Sequence, residues 1–261
     1  VEPIGLGGPD VRILVTNDDG IHAPGLAVLE DIARALSDDV WVVAPAEEQS
    51  GAGHSLSLSN PLRYRQIDPR RFEVAGTPTD CVVMAVRKIM PGLPDLVLSG
   101  VNRGQNIADD VTYSGTIAAA MEGTALGLKS IAMSQVTGIH DNGESFAVAA
   151  RHGAEIVKKL STMAFGPGIL MNVNFPDCRP DDVAGIEITR QGKRDQNFLT
   201  VDERIDARGR PYYWLGFMRE RGNQPAGTDI RAVFDRRISI TPLHMNLTQI
   251  DAMEALRQVF G

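Results

Sequence analysis

Along its first two-thirds the chain alternates short apolar, β-branched runs with stretches of helical periodicity, and few architectures accept that rhythm. Val11–Thr16 reads as a buried strand. A helix follows from Pro24 to about Ser37, with Leu26, Leu29, Ile32, Ala33 and Leu36 on one stripe and Pro24 suited to its first turn. Val40–Ala44 is the next strand. Thr77-Pro78-Thr79-Asp80 opens another helix, with Thr77 as N-cap and Asp80 near the positive end of the dipole. Asp95–Ser99, Ser130–Gln135 and Ile169–Asn174 are further strands. Between them lie a helix from Thr116 to about Leu128 and a longer one with the stripe Phe146, Ala149, Ala150, Gly153, Ile156, Val157 and Leu160. Strands joined through helices of this length need right-handed crossovers. The expected fold is therefore α/β: a Rossmann-like, mostly parallel sheet flanked by helices.

The pattern changes after Pro176. Residues 183–241 hold more charge and more aromatics, among them Phe198, Tyr212, Tyr213, Trp214 and Phe217, and the period-2 stretches Ala184–Thr189 and Arg237–Thr241 read as antiparallel strands. Asn246–Phe260 reads as an amphipathic terminal helix with Ile250, Met253, Leu256 and Val259 on one stripe. The expected organisation is an α/β catalytic core over residues 11–176 and a β-rich extension with a C-terminal helix over 177–261, an oligomerisation arm packed on the core. Residues 1–10, rich in Gly and Pro, read as a disordered leader or expression remnant without the basic and apolar stretches of a secretory signal.

Composition narrows the function classes. Over 261 residues, 43% are hydrophobic and 23% charged, which excludes a disordered or fibrous chain. A net charge of -7 argues against a duplex nucleic acid as partner, because binding that backbone needs a basic field. No apolar run approaches the roughly 18 residues that span a bilayer, so no membrane partner is expected. The two cysteines, Cys81 and Cys178, cannot build a disulfide framework and read as buried thiols in a reducing cytoplasm.

In open α/β sheets, ligands bind beyond the carboxyl ends of the parallel strands. Three strand ends here deliver oxygen-bearing residues and glycines to one side: Asn17-Asp18-Asp19-Gly20, the run through Gln49-Ser50-Gly51-Ala52-Gly53-His54, and Ser99-Gly100-Val101-Asn102-Arg103-Gly104-Gln105-Asn106. A turn at Gly20 would let both carboxylates converge, and two close carboxylates call for a hard cation between them. The same Asp-Gly pair is also common turn chemistry. Carboxylates, a hydroxyl and an amide suit Mg²⁺, Mn²⁺ or Ca²⁺. The histidines, His22, His54, His140, His152 and His244, show no zinc-type cluster, though His22 and His54 sit in the site loops.

Tyr113-Ser114-Gly115-Thr116 feeds a helix N-terminus, where free N–H groups bind phosphate oxygens; Ser114 or Thr116 is equally acceptable as a plain cap. Ser50-Gly51-Ala52-Gly53 is a candidate backbone nest for an anion. No Walker sequence and no GxGxxG follows the first strand. Together these features point to metal-assisted attack on a phosphate ester, in which a cation polarises a phosphoryl oxygen, positions water and offsets charge.

Six ordered motifs carry a resemblance: Ile13-Leu-Val-Thr-Asn-Asp-Asp-Gly-Ile21, Ala44-Pro45 with Gln49-Ser50-Gly51, Gly76-Thr-Pro-Thr-Asp-Cys81, Ser99-Gly-Val-Asn-Arg-Gly-Gln-Asn106, Tyr113-Ser-Gly-Thr116, and Ile238-Ser-Ile-Thr-Pro-Leu243. In these the chain resembles the SurE family of stationary-phase survival proteins, metal-dependent nucleotidases. The resemblance implies hydrolysis of nucleoside 5′- and 3′-monophosphates to nucleoside and phosphate, with exopolyphosphatase activity in some members. It implies one divalent cation per subunit, Mg²⁺ or Mn²⁺ with Co²⁺ a further option, held by Asp18, Asp19, Ser50 and Asn102. Asp18 and Asp19 are also the candidate catalytic residues. Gly51, Asn106, Ser114, Gly115 and Thr116 are the candidate phosphate contacts. It further implies homodimers or homotetramers formed by exchange of C-terminal segments.

The chain departs from the family pattern at Gln49, where Arg is common, at Arg236-Arg237, where a small-plus-aromatic pair is common, and at Asn246, where Asp is frequent. None of these is a candidate metal ligand. A nucleotide- or phosphate-sensing module without turnover is the alternative from a different class. An aspartyl-phosphate receiver would leave half the chain unexplained.

Overall fold

The computed structural model describes residues 11–137, 146–194, 199–217 and 224–261. The expected leader at 1–10, His140 and Phe198 lie outside them. Eleven strands and six α-helices are present among the described residues: β1 Arg12–Thr16, α1 Pro24–Arg34, β2 Asp39–Pro45, β3 Tyr64–Asp68, β4 Arg71–Val74, α2 Pro78–Met84, β5 Leu96–Arg103, α3 Gly115–Ala125, β6 Lys129–Gln135, α4 Ala147–Ser161, β7 Ile169–Phe175, β8 Gly185–Ile188, β9 Leu199–Ile205, β10 Pro211–Phe217, α5 Asp229–Phe234, β11 Arg237–His244 and α6 Ile250–Phe260.

Nine strands form one sheet in the order β3-β4-β2-β1-β5-β6-β7-β11-β8. From β4 to β7 all neighbours are parallel, as the helical crossovers require. β3 is antiparallel to β4 at one edge, and β11 is antiparallel to β7 near the other. The period-2 stretches after residue 183 read as antiparallel strands, but β8 runs parallel to β11. Of the sheet pairings that β8 and β11 make, β11–β7 is the one that reverses direction, as β11 returns to the sheet after the ribbon and α5. β9 and β10 form a separate antiparallel ribbon.

The central strands are buried on both faces, so their side chains divide between two cores. Ile13 and Val15 of β1 and Leu96 and Leu98 of β5 pack with Leu26, Leu29 and Ile32 of α1 and Ile156 and Val157 of α4. Leu14 and Val97, one residue out of phase, face Cys81, Val82 and Ala119 of α2 and α3. That alternation is the period-2 geometry of a strand.

Helix ends are satisfied locally. At α2, Thr77 Oγ accepts from the Asp80 N–H at 3.1 Å and Asp80 Oδ2 accepts from the Thr77 N–H at 2.9 Å, a reciprocal capping box worth about 1 kcal/mol. The C-terminus of α4 is capped by a buried cation. Lys129, on β6, donates from Nζ to the Ser161 carbonyl at 2.7 Å and the Met163 carbonyl at 2.6 Å, and lies 4.9 Å from the Phe165 ring centre. Burial lowers its pKa, while the carbonyls at the negative end of the helix favour its charge.

The C-terminal helix behaves differently. No α6 residue is buried, and its N-terminus is capped by the Gln249 side chain, which accepts from the Ala252 N–H. Its expected apolar stripe faces outward. Among the described residues no helix is long and apolar enough to cross a membrane.

Candidate active site

β1 is flanked by β2 on one side and β5 on the other, so successive crossovers leave it in opposite directions. A crevice opens at the carboxyl ends of such a pair. Thr16 and Ser99 are register partners there; β1 ends in a polar loop, and β5 runs on through Asn102 to Arg103. The crevice is a cavity of about 550 Å³. Asp18, Asp19, Ser50, Gly51, Asn102, Asn106 and Ser114 all line it. Gly115 and Thr116 stand behind that lining, in the first turn of α3.

Backbone hydrogen bonds stitch the three loops together. The Gln49 N–H donates to the Asp18 carbonyl at 2.8 Å, and the Gly53 N–H to the Tyr113 carbonyl at 3.2 Å. The Arg103 N–H donates to Asp19 Oδ2 at 3.2 Å. Gly20 carries a φ of 101°, which lets the chain turn sharply after the two carboxylates.

Asp18 is buried against α3. Its Oδ1 accepts from the Thr116 hydroxyl at 2.6 Å. Gly115 makes that approach possible, since a Cβ there would lie 2.7 Å from Asp18 Cβ and 3.0 Å from its Oδ2. Burial pushes the Asp18 carboxyl up to about 6; the Thr116 hydrogen bond opposes this and the Asp19 charge adds to it. Asp19 is also raised, chiefly by burial, with the Arg103 N–H pulling it down and Glu48 pushing it up. Neither carboxylate has a salt-bridge partner among the described residues. Two adjacent, partly desolvated carboxylates without a paired cation suit a hard metal ion.

The remaining donors fit that ion. Asn102 donates its amide N–H to the Gly104 carbonyl at 2.9 Å, which commits the nitrogen and assigns the oxygen as the available ligand atom. The Ser50 hydroxyl donates to Glu48 Oε1 at 2.7 Å, leaving lone pairs on its oxygen. Among the described residues no group of three or more His, Cys, Asp or Glu side chains gathers at metal-binding spacing. A metal here would therefore rest on mixed carboxylate, hydroxyl and carboxamide oxygen donors.

Asn106 is fixed from the neighbouring strands. Its N–H donates to Asn174 Oδ1 at 2.9 Å, its side-chain amide to Ser134 Oγ at 2.8 Å, and its carbonyl accepts from Asn172 and Asn174 at 2.8 and 3.1 Å. Ser114 caps α3 by accepting from the Ile117 N–H at 3.1 Å. The N–H groups of Gly115 and Thr116 have no intrahelical acceptor at a helix start and point along the positive end of the dipole.

Several lining residues carry no site role in the sequence analysis: Glu48, Arg103, Asp110, Phe146 and Arg194. Asp110 lies between the Ser99–Asn106 and Tyr113–Thr116 motifs, whereas Arg194 comes from far along the chain and carries no local signal. His22 and His54 are not among the lining residues. His54 Nε2 instead lies 3.0 Å from Glu122 Oε2.

Comparisons with known proteins place the chain among relatives of known name. A family model described as Survival protein SurE matches residues 13–198. A curated relative from Parvibaculum lavamentivorans, named 5'-nucleotidase SurE, is 61% identical over 257 residues, covering 98% of this chain and 93% of its own length. One of the same name from Methylobacterium radiotolerans is 57% identical over 253 residues, covering 96% and 100%. The crystal structure of the SurE protein from Aquifex aeolicus superposes with a TM-score of 0.83 at 40% identity, covering 96% of this chain and all of that one. The chain belongs to the SurE family.

Proposed function

We propose that the protein is a phosphoric monoester hydrolase that converts nucleoside 5′-monophosphates, and 3′-monophosphates, to nucleoside and inorganic phosphate with the help of one divalent cation. The observation that carries this reading is the adjacent carboxylates of Asp18, buried against the first turn of α3, and Asp19, half-buried, in one cavity. Asp18, Asp19, Ser50 and Asn102 would hold Mg²⁺, Mn²⁺ or Co²⁺. When bound, the cation supplies positive charge that polarises a phosphoryl oxygen and offsets the charge gained in the transition state.

The chain's own groups do the rest. Gly51, Asn106, Ser114 and the N–H groups of Gly115 and Thr116 bind and orient the phosphoryl oxygens. The Asp18–Asp19 pair orients the attacking water. As water attacks phosphorus, the ester P–O bond breaks, and the proton that the water gives up ends on the departing ribose oxygen. The terminal phosphate of a polyphosphate chain presents the same group, which makes exopolyphosphatase activity an expected side reaction.

The hydrolytic chemistry belongs to residues 11–176, while residues 177–261 serve assembly, build β8 and β11 into the sheet and bring Arg194 to the cavity. The outward apolar stripe of α6 supports a homodimer or homotetramer made by exchange of C-terminal segments. Two free, buried thiols, Cys81 and Cys178, support a cytoplasmic location. Phosphate release from AMP with Mn²⁺, repeated with EDTA, tests the activity. Release that survives chelation removes the cation from the reading. AMP left intact in Mg²⁺, Mn²⁺ and Co²⁺ makes the protein a binding module.

A further inference from the structure

The cavity is several times larger than a phosphoryl group, and a second polar element faces it that the phosphate and cation sites do not use. Asp110 and Arg194 form a forked ion pair, with Arg194 Nε donating to Asp110 Oδ1 at 2.7 Å and Nη2 donating to Oδ2. The two side chains are only 16% and 11% exposed, yet both line the cavity. The pair is held from behind. The Arg194 N–H donates to Asp109 Oδ2 at 2.6 Å, and the Gln191 amide donates to the Ala108 carbonyl at 2.8 Å. Asp229, at the start of α5, accepts from the Ala108 and Gly192 N–H groups at 2.9 and 2.8 Å, joining both segments.

Such a pair has a defined recognition chemistry. Its charges cancel, so it offers little to a second phosphate. Arg194 commits two of its five N–H donors and Asp110 about half of its acceptor positions, so donors and acceptors remain side by side. A neutral, hydroxyl- and amide-rich group matches that array. We propose that the Asp110–Arg194 pair is the specificity element for the nucleoside half of the substrate. This rests on the phosphomonoesterase reading and adds to it the side chains that distinguish a nucleotide from a simple phosphate ester.

The test compares AMP with p-nitrophenyl phosphate, which carries the same phosphoryl group without a nucleoside. In Arg194→Gln and Asp110→Asn, the ratio of kcat/KM for AMP to that for p-nitrophenyl phosphate should fall by about tenfold or more, the effect of unpairing a designed polar contact. A ratio equal to the wild-type value in both variants overturns the proposal. Arg194→Lys keeps the charge and loses the fork, so it should reproduce most of the fall if the first variant folds poorly. A second readout needs no turnover: adenosine binding followed by saturation-transfer NMR. The wild type should bind adenosine and Arg194→Gln should bind it more weakly. Equal binding by the two, or none by the wild type, overturns the proposal even where phosphate release proceeds.

Discussion

At the switch point a carboxylate, Asp18, is 5% exposed, whereas in α6 the apolar Val259 and Phe260 are 75% and 81% exposed and in the β9–β10 ribbon Trp214 is 59% exposed. Folding alone favours neither arrangement. Burying an unpaired carboxylate costs free energy, and so does leaving a large apolar stripe in water. Each region is therefore built for something beyond the single chain, the first for a charge and the second for an apolar surface.

The largest expected effect tests the first half of that contrast. Asp18→Asn should lower phosphate release by about a thousandfold or more, since it removes a charge that would hold the cation and orient the attacking water. The same variant should melt no lower than the wild type in EDTA. The sign follows from the raised pKa. A carboxyl that titrates near 6 when folded, and near 3.8 when unfolded, contributes stability that is complete below about pH 4 and lost as pH rises through about 6. Cation-free wild type should therefore lose melting temperature between pH 4 and 6 relative to Asp18→Asn. Parallel pH profiles would show that burial of this group is not costly and would break the comparison.

The second half is tested by removing residues 247–261, which leaves β11 intact. Light scattering should show a smaller assembly than the full chain. An unchanged mass would mean that the exposed stripe has no partner in solution. A smaller effect sharpens the first half: Gly115→Ala places a methyl against Asp18 and should cost about tenfold in kcat/KM with about 1–3 kcal/mol of stability. A neutral result would show that α3 can retreat without disturbing the site.

The parallel core was legible because β1, β2, β5, β6 and β7 each carry a short apolar or β-branched run, and stretches of helical periodicity separate most of them. β3 was not, since Tyr64–Asp68 is an exposed edge strand with charged residues and no alternation to read. The strand expected over Asp95–Ser99 is longer as β5, which continues to Arg103 and carries Asn102 into the cavity. The gathering of three strand ends followed from the rule for parallel sheets. The Asp110–Arg194 pair did not, because its partners are 84 residues apart and no spacing announces such a contact. Asn172 and Asn174 gave no sign either: polar residues inside a strand read as solvent-facing, whereas here they are wholly buried and hold Asn106.

Those two asparagines set the timing of the loop's ordering. With its N–H, carbonyl and side chain each tied to β6 or β7, Asn106 is immobilised when the sheet assembles, before any ligand arrives. The entropy of ordering that segment is lost during folding, so a ligand entering later spends none of its contact energy on arranging it.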